Sequence, residues 1–352
     1  VRLKGDTFVP WPLHVSIPVF AVGAALILWS GTRLPVLGES VARRAGIRAT
    51  TLGLFVLAVI TSLPELAVTF AAMLGAGAPD LAFGNVLGSN NFNVTVLAFL
   101  PAGVAGAALL SRIDTRRYAR TCRLLIVLTL ISGIGAVAGR VMPPGLSAVV
   151  FGLLIVGIFF WDLSGGERGA PAAPVSKGSA PGDARGTVGF VLHAALVVVA
   201  GTFVAIAGKE IAEHEFVTGA GAMTLGQTFV GTILVAVATS LPEVTVAVSA
   251  VRRAGSADMA VGTLLGSNSF NLTIFAIGAP FLMLREHNSG WSDLSWAGII
   301  NVVTAVVLTL VVLAGMRATA LDARRRAARV ATAVLVPIYL AGLFLVYQLS
   351  GA

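Results

Sequence analysis

Apolar residues run along this chain in long stretches, interrupted by short polar ones at fairly even intervals. The pattern predicts ten helices, near 13–32, 50–74, 81–101, 121–139, 145–161, 187–208, 224–250, 258–283, 294–316 and 330–349. Most come close to the roughly 20 residues a helix needs to cross a hydrocarbon core. The runs are continuous rather than alternating, which points to helices and away from barrel strands. The first, from about Leu13, is too long for a cleaved signal and is followed by further spans.

The polar breaks carry a second pattern. One alternate set of loops holds 19 of the 24 Lys and Arg residues, among them Arg43, Arg44, Arg116, Arg117 and the run "RRRAAR" at 324–329. The other set holds five: Arg2, Lys4, Arg140, Lys209 and Arg285. A missed or extra span would scramble that alternation, and the positive-inside rule then puts both termini outside the cytoplasm. One break differs in kind. The segment "SGGERGAPAAPVSKGSAPGDARG", 164–186, is rich in Gly, Ala, Pro and Ser and reads as a flexible cytoplasmic linker. It separates a first five-helix half, 1–163, from a second, 187–352.

Composition agrees with this reading. Of the 352 residues 57% are hydrophobic and 11% charged, against about 25% charged in soluble domains. The net charge of +8 lies in the loops between spans, so it is a topology signal and implies no nucleic-acid partner. A lone Cys122 excludes an intramolecular disulfide, and the four His residues show no metal-ligand spacing. No Walker loop is present, so nothing supports ATP-driven pumping by this chain, and no enzyme motif or cofactor site stands out. An obligate protein partner is not evident either. The expected setting is the lipid bilayer of a prokaryotic plasma membrane.

Residues 58–98 align with 236–276 without a gap at a constant offset of 178, and 22 of the 41 positions are identical. Shared Leu and Val between apolar helices are unremarkable. Shared "TSLPE" (61–65, 239–243) and "GSNxFNxT" (88–95, 266–273) blocks, with Asp80 and Asp258, mean internal duplication. Five spans separate equivalent positions, so the copies enter the membrane from opposite sides. The expected fold is an all-α polytopic membrane protein in two inverted five-helix repeats, the layout of secondary transporters.

Glu65 and Glu243 fall near mid-span, where an unpaired charge costs at least roughly 2.5–3.5 kcal/mol. The repeat helices offer no Lys or Arg inside the membrane, which leaves a bound cation as the natural partner. Pro64 and Pro242 remove a helical hydrogen bond and free carbonyl oxygens around 58–61 and 236–239. Together with Thr61, Ser62, Thr239 and Ser240 these make an all-oxygen set suited to hard cations such as Ca²⁺ or Na⁺. Ser89 and Asn93, like Ser267 and Asn271, are four apart and share a helix face. Asn90 and Asn268 suit either coordination or interhelical hydrogen bonding. The "GxxxG" pairs Gly84/Gly88 and Gly262/Gly266 suit close helix approach. Asp80 and Asp258 sit where a carboxylate caps a helix start, and "KEIAEHE", 209–215, reads as a solvated outer loop.

"TSLPEL…GNVLGSNNFN" and "TSLPEV…GTLLGSNSFN" resemble the paired α-repeats of the cation/Ca²⁺ exchanger superfamily, in its sodium/calcium exchanger branch. The resemblance implies antiport of Na⁺ against Ca²⁺ by alternating access. It implies Ca²⁺ ligands at Glu65 and Glu243 with backbone oxygens of Thr61 and Thr239. Na⁺ ligands are implied at Ser62, Ser240, Ser89 and Ser267, with backbone oxygens of Ala58 and Ala236, and a central polar pair at Asn93 and Asn271. Many relatives carry an aspartate at one position of that pair, whereas here both are Asn. The glycine usual before "TSLPE" is Ile60 or Ala238. The "GNxxE" pattern of the proton/calcium branch is absent, which places an H⁺-coupled Ca²⁺ or cation antiporter second.

Overall fold

The computed structural model describes residues 11–44, 59–100, 115–143, 145–164, 184–218, 221–254, 257–284, 291, 294–317 and 321–350. Their helices, in chain order, are α1 (Leu13–Gly31), α2 (Leu34–Arg44), α3 (Leu63–Phe70), α4 (Pro79–Val96), α5 (Thr115–Ala138) and α6 (Leu146–Ser164). The second half adds α7 (Ala184–Glu213), α8 (Gln227–Val230), α9 (Ala236–Ala254), α10 (Ala257–Gly278), α11 (Trp296–Arg317) and α12 (Leu321–Ser350). A two-stranded hairpin, β1 (Phe216–Thr218) and β2 (Gly221–Met223), follows α7.

Among the described residues, eight helices are long and apolar enough to cross a membrane. They match eight of the ten expected spans. The other two are the spans of the first repeat copy. Helix α4 has the length but carries Asp80, four Asn, Ser89 and Thr95, and the first span of the repeat is described only from residue 59. Most of the linker, 165–183, also lies outside the described residues. Two loop expectations are corrected. Residues 34–44 form helix α2, and 209–213 of "KEIAEHE" are the last turn of α7, where Lys209 Nζ donates to the Ala76 carbonyl (3.0 Å).

The polarity of the bundle is inverted relative to a soluble protein. Leu153, Leu192 and Phe344 are exposed, while Glu65, Glu243 and a set of Ser, Thr and Asn side chains are buried. Such an arrangement is stable where the surrounding solvent is lipid. Helices α4 and α10 pack on each other at the centre and against α3 and α9; α1 lies along α7, and α11 bridges α4, α5 and α12. Of α4, all but Asp80 and Phe92 are buried.

The two prolines act differently in the two copies. Ser62 is a turn residue (φ −91°, ψ 14°), so a helical turn ends there and α3 restarts with Pro64 in its first turn, where the missing N–H costs nothing. Pro242 instead lies inside the continuous α9. Wide, π-type turns follow the motif in the first copy (Ala71–Ala76) and precede it in the second (Gly231–Val235). Turns of that kind are frequent at functional sites.

The expected close approach is present on one side. A Cβ on Gly84 would come 2.6 Å from the Thr228 carbonyl oxygen, and one on Gly88 2.5 Å from that of Thr232. Gly266 meets nothing within 4 Å among the described residues. Overpacking against backbone costs about 1–3 kcal/mol, so Gly88→Ala should lower the thermal midpoint in detergent by at least about 3 °C. Gly157→Ala, where a Cβ meets nothing, should leave it unchanged.

Candidate cation site

Eleven of the twelve residues singled out in the repeats are described, and all eleven are buried: Thr61, Ser62, Glu65, Ser89, Asn93, Ala236, Thr239, Ser240, Glu243, Ser267 and Asn271. Ala58 lies outside the described residues. Helices α3 and α9 carry the glutamates, and α4 and α10 carry the amides.

The carboxylates are held crosswise. Ser240 Oγ donates to Glu65 Oε1 (3.0 Å), and Ser62 Oγ donates to Glu243 Oε1 (3.4 Å). Each copy's serine therefore serves the other copy's glutamate. Glu65 feels Ser240, Thr239 and Glu243, and Glu243 feels Glu65 and Ser62; no Lys or Arg is among these groups. Gly31, the last residue of α1, packs tightly on Pro242 and faces Pro64, so α1 bears on both motif helices beside the acids.

The amides follow the same reciprocal rule. Asn90 Nδ2 donates to the Asn268 carbonyl and Asn268 Nδ2 to the Asn90 carbonyl, both at 3.1 Å. Their own Oδ1 atoms accept from Asn271 (3.3 Å) and Asn93 (3.0 Å) respectively. Of the two uses open to Asn90 and Asn268, interhelical hydrogen bonding is the one observed. Asn93 Nδ2 also reaches Ser267 Oγ (3.4 Å), and Ser89 Oγ lies 3.4 Å from Thr239 Oγ1.

With both amide nitrogens engaged, Asn93 and Asn271 are left with free carbonyl oxygens. Four buried oxygens of the site thus have no hydrogen-bond partner: Glu65 Oε2, Glu243 Oε2, Asn93 Oδ1 and Asn271 Oδ1. Unpartnered buried acceptors are costly and rare, and here they come as two symmetric pairs. Two carboxylates, two amide oxygens and the flanking hydroxyls offer oxygen alone. That donor set suits a hard cation such as Ca²⁺ and suits a thiophilic or imidazole-preferring metal poorly. No cluster of three or more His, Cys, Asp or Glu occurs among the described residues, so any metal held here is held by two acids and neutral oxygens.

Three further polar residues had not been singled out in the repeats. Asn85 donates to Thr69 (3.1 Å) and accepts from Thr239 (3.1 Å), which orients Thr239. Asn91 and Asn301 join α4 to α11. The signal for each was an amide within a membrane span, where an unpaired one is unfavourable.

The capping role expected of Asp80 at its own helix is corrected. Its Oδ1 accepts the backbone N–H of Ser295 (2.8 Å), at the start of α11, so it caps a different helix. The side chain of Asp258 lies outside the described residues.

A sequence model of the family described as "sodium/calcium exchanger protein" matches residues 15–161 and 185–348. The chain belongs to the sodium/calcium exchanger family. It is 29% identical to the "Putative antiporter CaxA" of Alkalimonas amylolytica over 73% of this chain and 78% of that protein. Among solved structures, the Ca²⁺/H⁺ antiporter protein YfkE shares the fold with TM-score 0.63 at 16% identity, covering 96% of this chain and 98% of the other. The sodium-calcium exchanger NCX_Mj does so with TM-score 0.53 at 21% identity, over 94% and 98%. The family is one of cation exchangers, and this chain is an integral membrane member of it.

Losing a cap typically costs about 1 kcal/mol. Asp80→Ala should therefore lower the melting midpoint by about 2–4 °C in a detergent thermal scan. Ca²⁺ affinity by equilibrium titration should stay unchanged, because Asp80 caps α11 outside the site.

Proposed function

We propose that this protein is a secondary antiporter exchanging Na⁺ for Ca²⁺ by alternating access, with Glu65 and Glu243 as ligands shared by the two ions. The observation that carries this reading is the symmetric set of four unpartnered oxygens around two buried carboxylates. Two negative charges balance one Ca²⁺ or two Na⁺, so competition for one site follows from charge alone. A third Na⁺ would leave an excess positive charge and an electrogenic cycle. The hydroxyls of Ser62, Ser240, Ser89 and Ser267 and the backbone oxygens of Ala58, Ala236, Thr61 and Thr239 supply the neutral ligands. Asn93 and Asn271 complete the central layer without a third acid, which speaks against dependence on K⁺.

The reciprocal bonds between the copies, Asn90 with Asn268 and each glutamate with the other copy's serine, support two inverted five-helix repeats, 1–163 and 187–352, joined by the 164–186 linker. In this reading the chain makes ten spans, with both termini outside and the linker in the cytoplasm. The curated relative named "Sodium/calcium exchanger MaX1", from Methanosarcina acetivorans, 24% identical over 85% of this chain, points the same way.

H⁺ coupling is the second reading. It is favoured by one feature, two buried carboxylates with hydroxyl partners and no basic one among the described residues, since intramembrane acids of this kind also serve as proton carriers.

Reconstituted vesicles loaded with Na⁺ should take up Ca²⁺ in response to an outward Na⁺ gradient. Glu65→Gln and Glu243→Gln should each abolish that uptake, by at least about 100-fold, while the protein still folds. Normal uptake by either variant contradicts the site. Uptake driven by a pH gradient without Na⁺ selects the H⁺ reading, and flux indifferent to every counter-ion gradient would indicate a passive channel. Asn271→Asp should change the Ca²⁺ affinity or its pH dependence; an unchanged profile puts position 271 outside the site.

A further inference from the structure

Two polar junctions that the ion site does not use tie α4 and segment 227–235 to α11: one at its start, where Ser295 meets Asp80 and Thr228, and one at mid-helix, through Asn301. Asn301, buried on α11, is on a helix that carries none of the site residues. Its Nδ2 donates to Thr232 Oγ1 (2.5 Å), and its main-chain oxygen and Oδ1 both lie 3.4 Å from Asn91 Nδ2. Thr232 sits in the wide turn 231–235 that leads into Ala236 and Thr239. Asn91 sits on α4 between Asn90 and Asn93. One amide thus touches both the segment entering the second motif and the helix bearing the central amide. The same two elements meet at Gly88, whose Cα packs against Thr232.

Among the described residues the Asn301 junction has no counterpart in the other half. Positions 178 earlier hold Leu54 and Arg123, and Arg123 Nε turns back to the Ala119 carbonyl. Ser269, the counterpart of Asn91, has an unpartnered Oγ. The serine–glutamate and Asn90–Asn268 bonds of the ion site come in pairs, whereas among the described residues this tie is single.

We propose that Asn301 is a positioning residue that locks segment 227–235 onto α4, so that this side of the site stays closed while the other copy's side yields. The proposal rests on the transport reading for its functional consequence, but not for its structural one. Removing the amide releases Thr232 from α11 and leaves Asn91 only the main-chain oxygen of residue 301, which lowers the barrier to separating the two elements. Access past 227–235 then becomes easier. By the charge-derived topology, that access leads outward.

Hydrogen exchange on the purified full-length chain tests the lock directly. Asn301→Leu, and the near-isosteric Thr232→Val, should speed amide exchange in 227–235 by roughly tenfold or more, with 146–164 unchanged. Thr232→Ser, which keeps the hydroxyl, should restore the wild-type rate. In vesicles of one orientation, Asn301→Leu should shift apparent Ca²⁺ affinities on the two faces in opposite directions, changing their ratio by roughly tenfold. Equal weakening on both faces, uniform loosening of all helices, or failure of both variants to fold makes Asn301 a general stability residue and overturns the proposal. If the wild type shows no gradient-driven flux, the transport reading fails while the exchange data still decide the lock.

Discussion

Two carboxylates with hydroxyl partners but no basic neighbour, enclosed at the crossing of two duplicated motifs, impose the constraint that the remaining structure answers. In a lipid-surrounded bundle neither acid can be left charged and alone. A Lys or Arg would satisfy them permanently and make the site inert. Hydroxyls satisfy them halfway and leave one oxygen of each without a partner, which is where the proposed cation would bind. Much of the bundle serves that arrangement. Helices α4 and α10 present amides whose nitrogens are used up on each other, and the glycines of α4 let the motif-bearing segment come close. The motif turns place serine from one copy against glutamate of the other.

Reciprocity is what makes the site one site. Glu65 depends on Ser240, Glu243 on Ser62, and Asn93 and Asn271 on the opposite copy's Asn268 and Asn90. Neither copy completes its own hydrogen bonds, so neither holds a finished half-site. A bound ion would bridge the two copies, and its loss would leave them joined by neutral bonds alone. Bonds of that strength, each worth about 1 kcal/mol net, are suited to being broken and remade. Departures from symmetry then matter more than the symmetry itself. The break before α3, the unbroken α9, and the tie through Asn301 distinguish the two sides of one site.

Much of this was legible in the chain. The span pattern located eight helices within a few residues, because a membrane forces apolarity over a fixed length. The constant offset of 178 picked out the residues of the candidate site, because polar identities inside apolar runs do not arise by chance similarity of composition. Less legible was whatever depends on contact between distant elements. Nothing local in Asp80 reveals that it caps α11 rather than its own helix. Helix α2 was read as a loop because its basic residues marked a break between spans, and basic residues do not prevent a helix from running along it. Asn301 gave only the weak signal of a lone amide in an apolar run, without the partner that explains it.

The central claim is that one divalent cation sits between the two glutamates and is displaced by Na⁺. Anomalous X-ray diffraction from crystals grown in Ca²⁺, with and without excess Na⁺, tests it most directly. The account predicts a single peak within about 2.3–2.6 Å of Glu65 Oε2 and Glu243 Oε2 that vanishes in Na⁺. A peak elsewhere, or one between the glutamates that Na⁺ leaves in place, would contradict it.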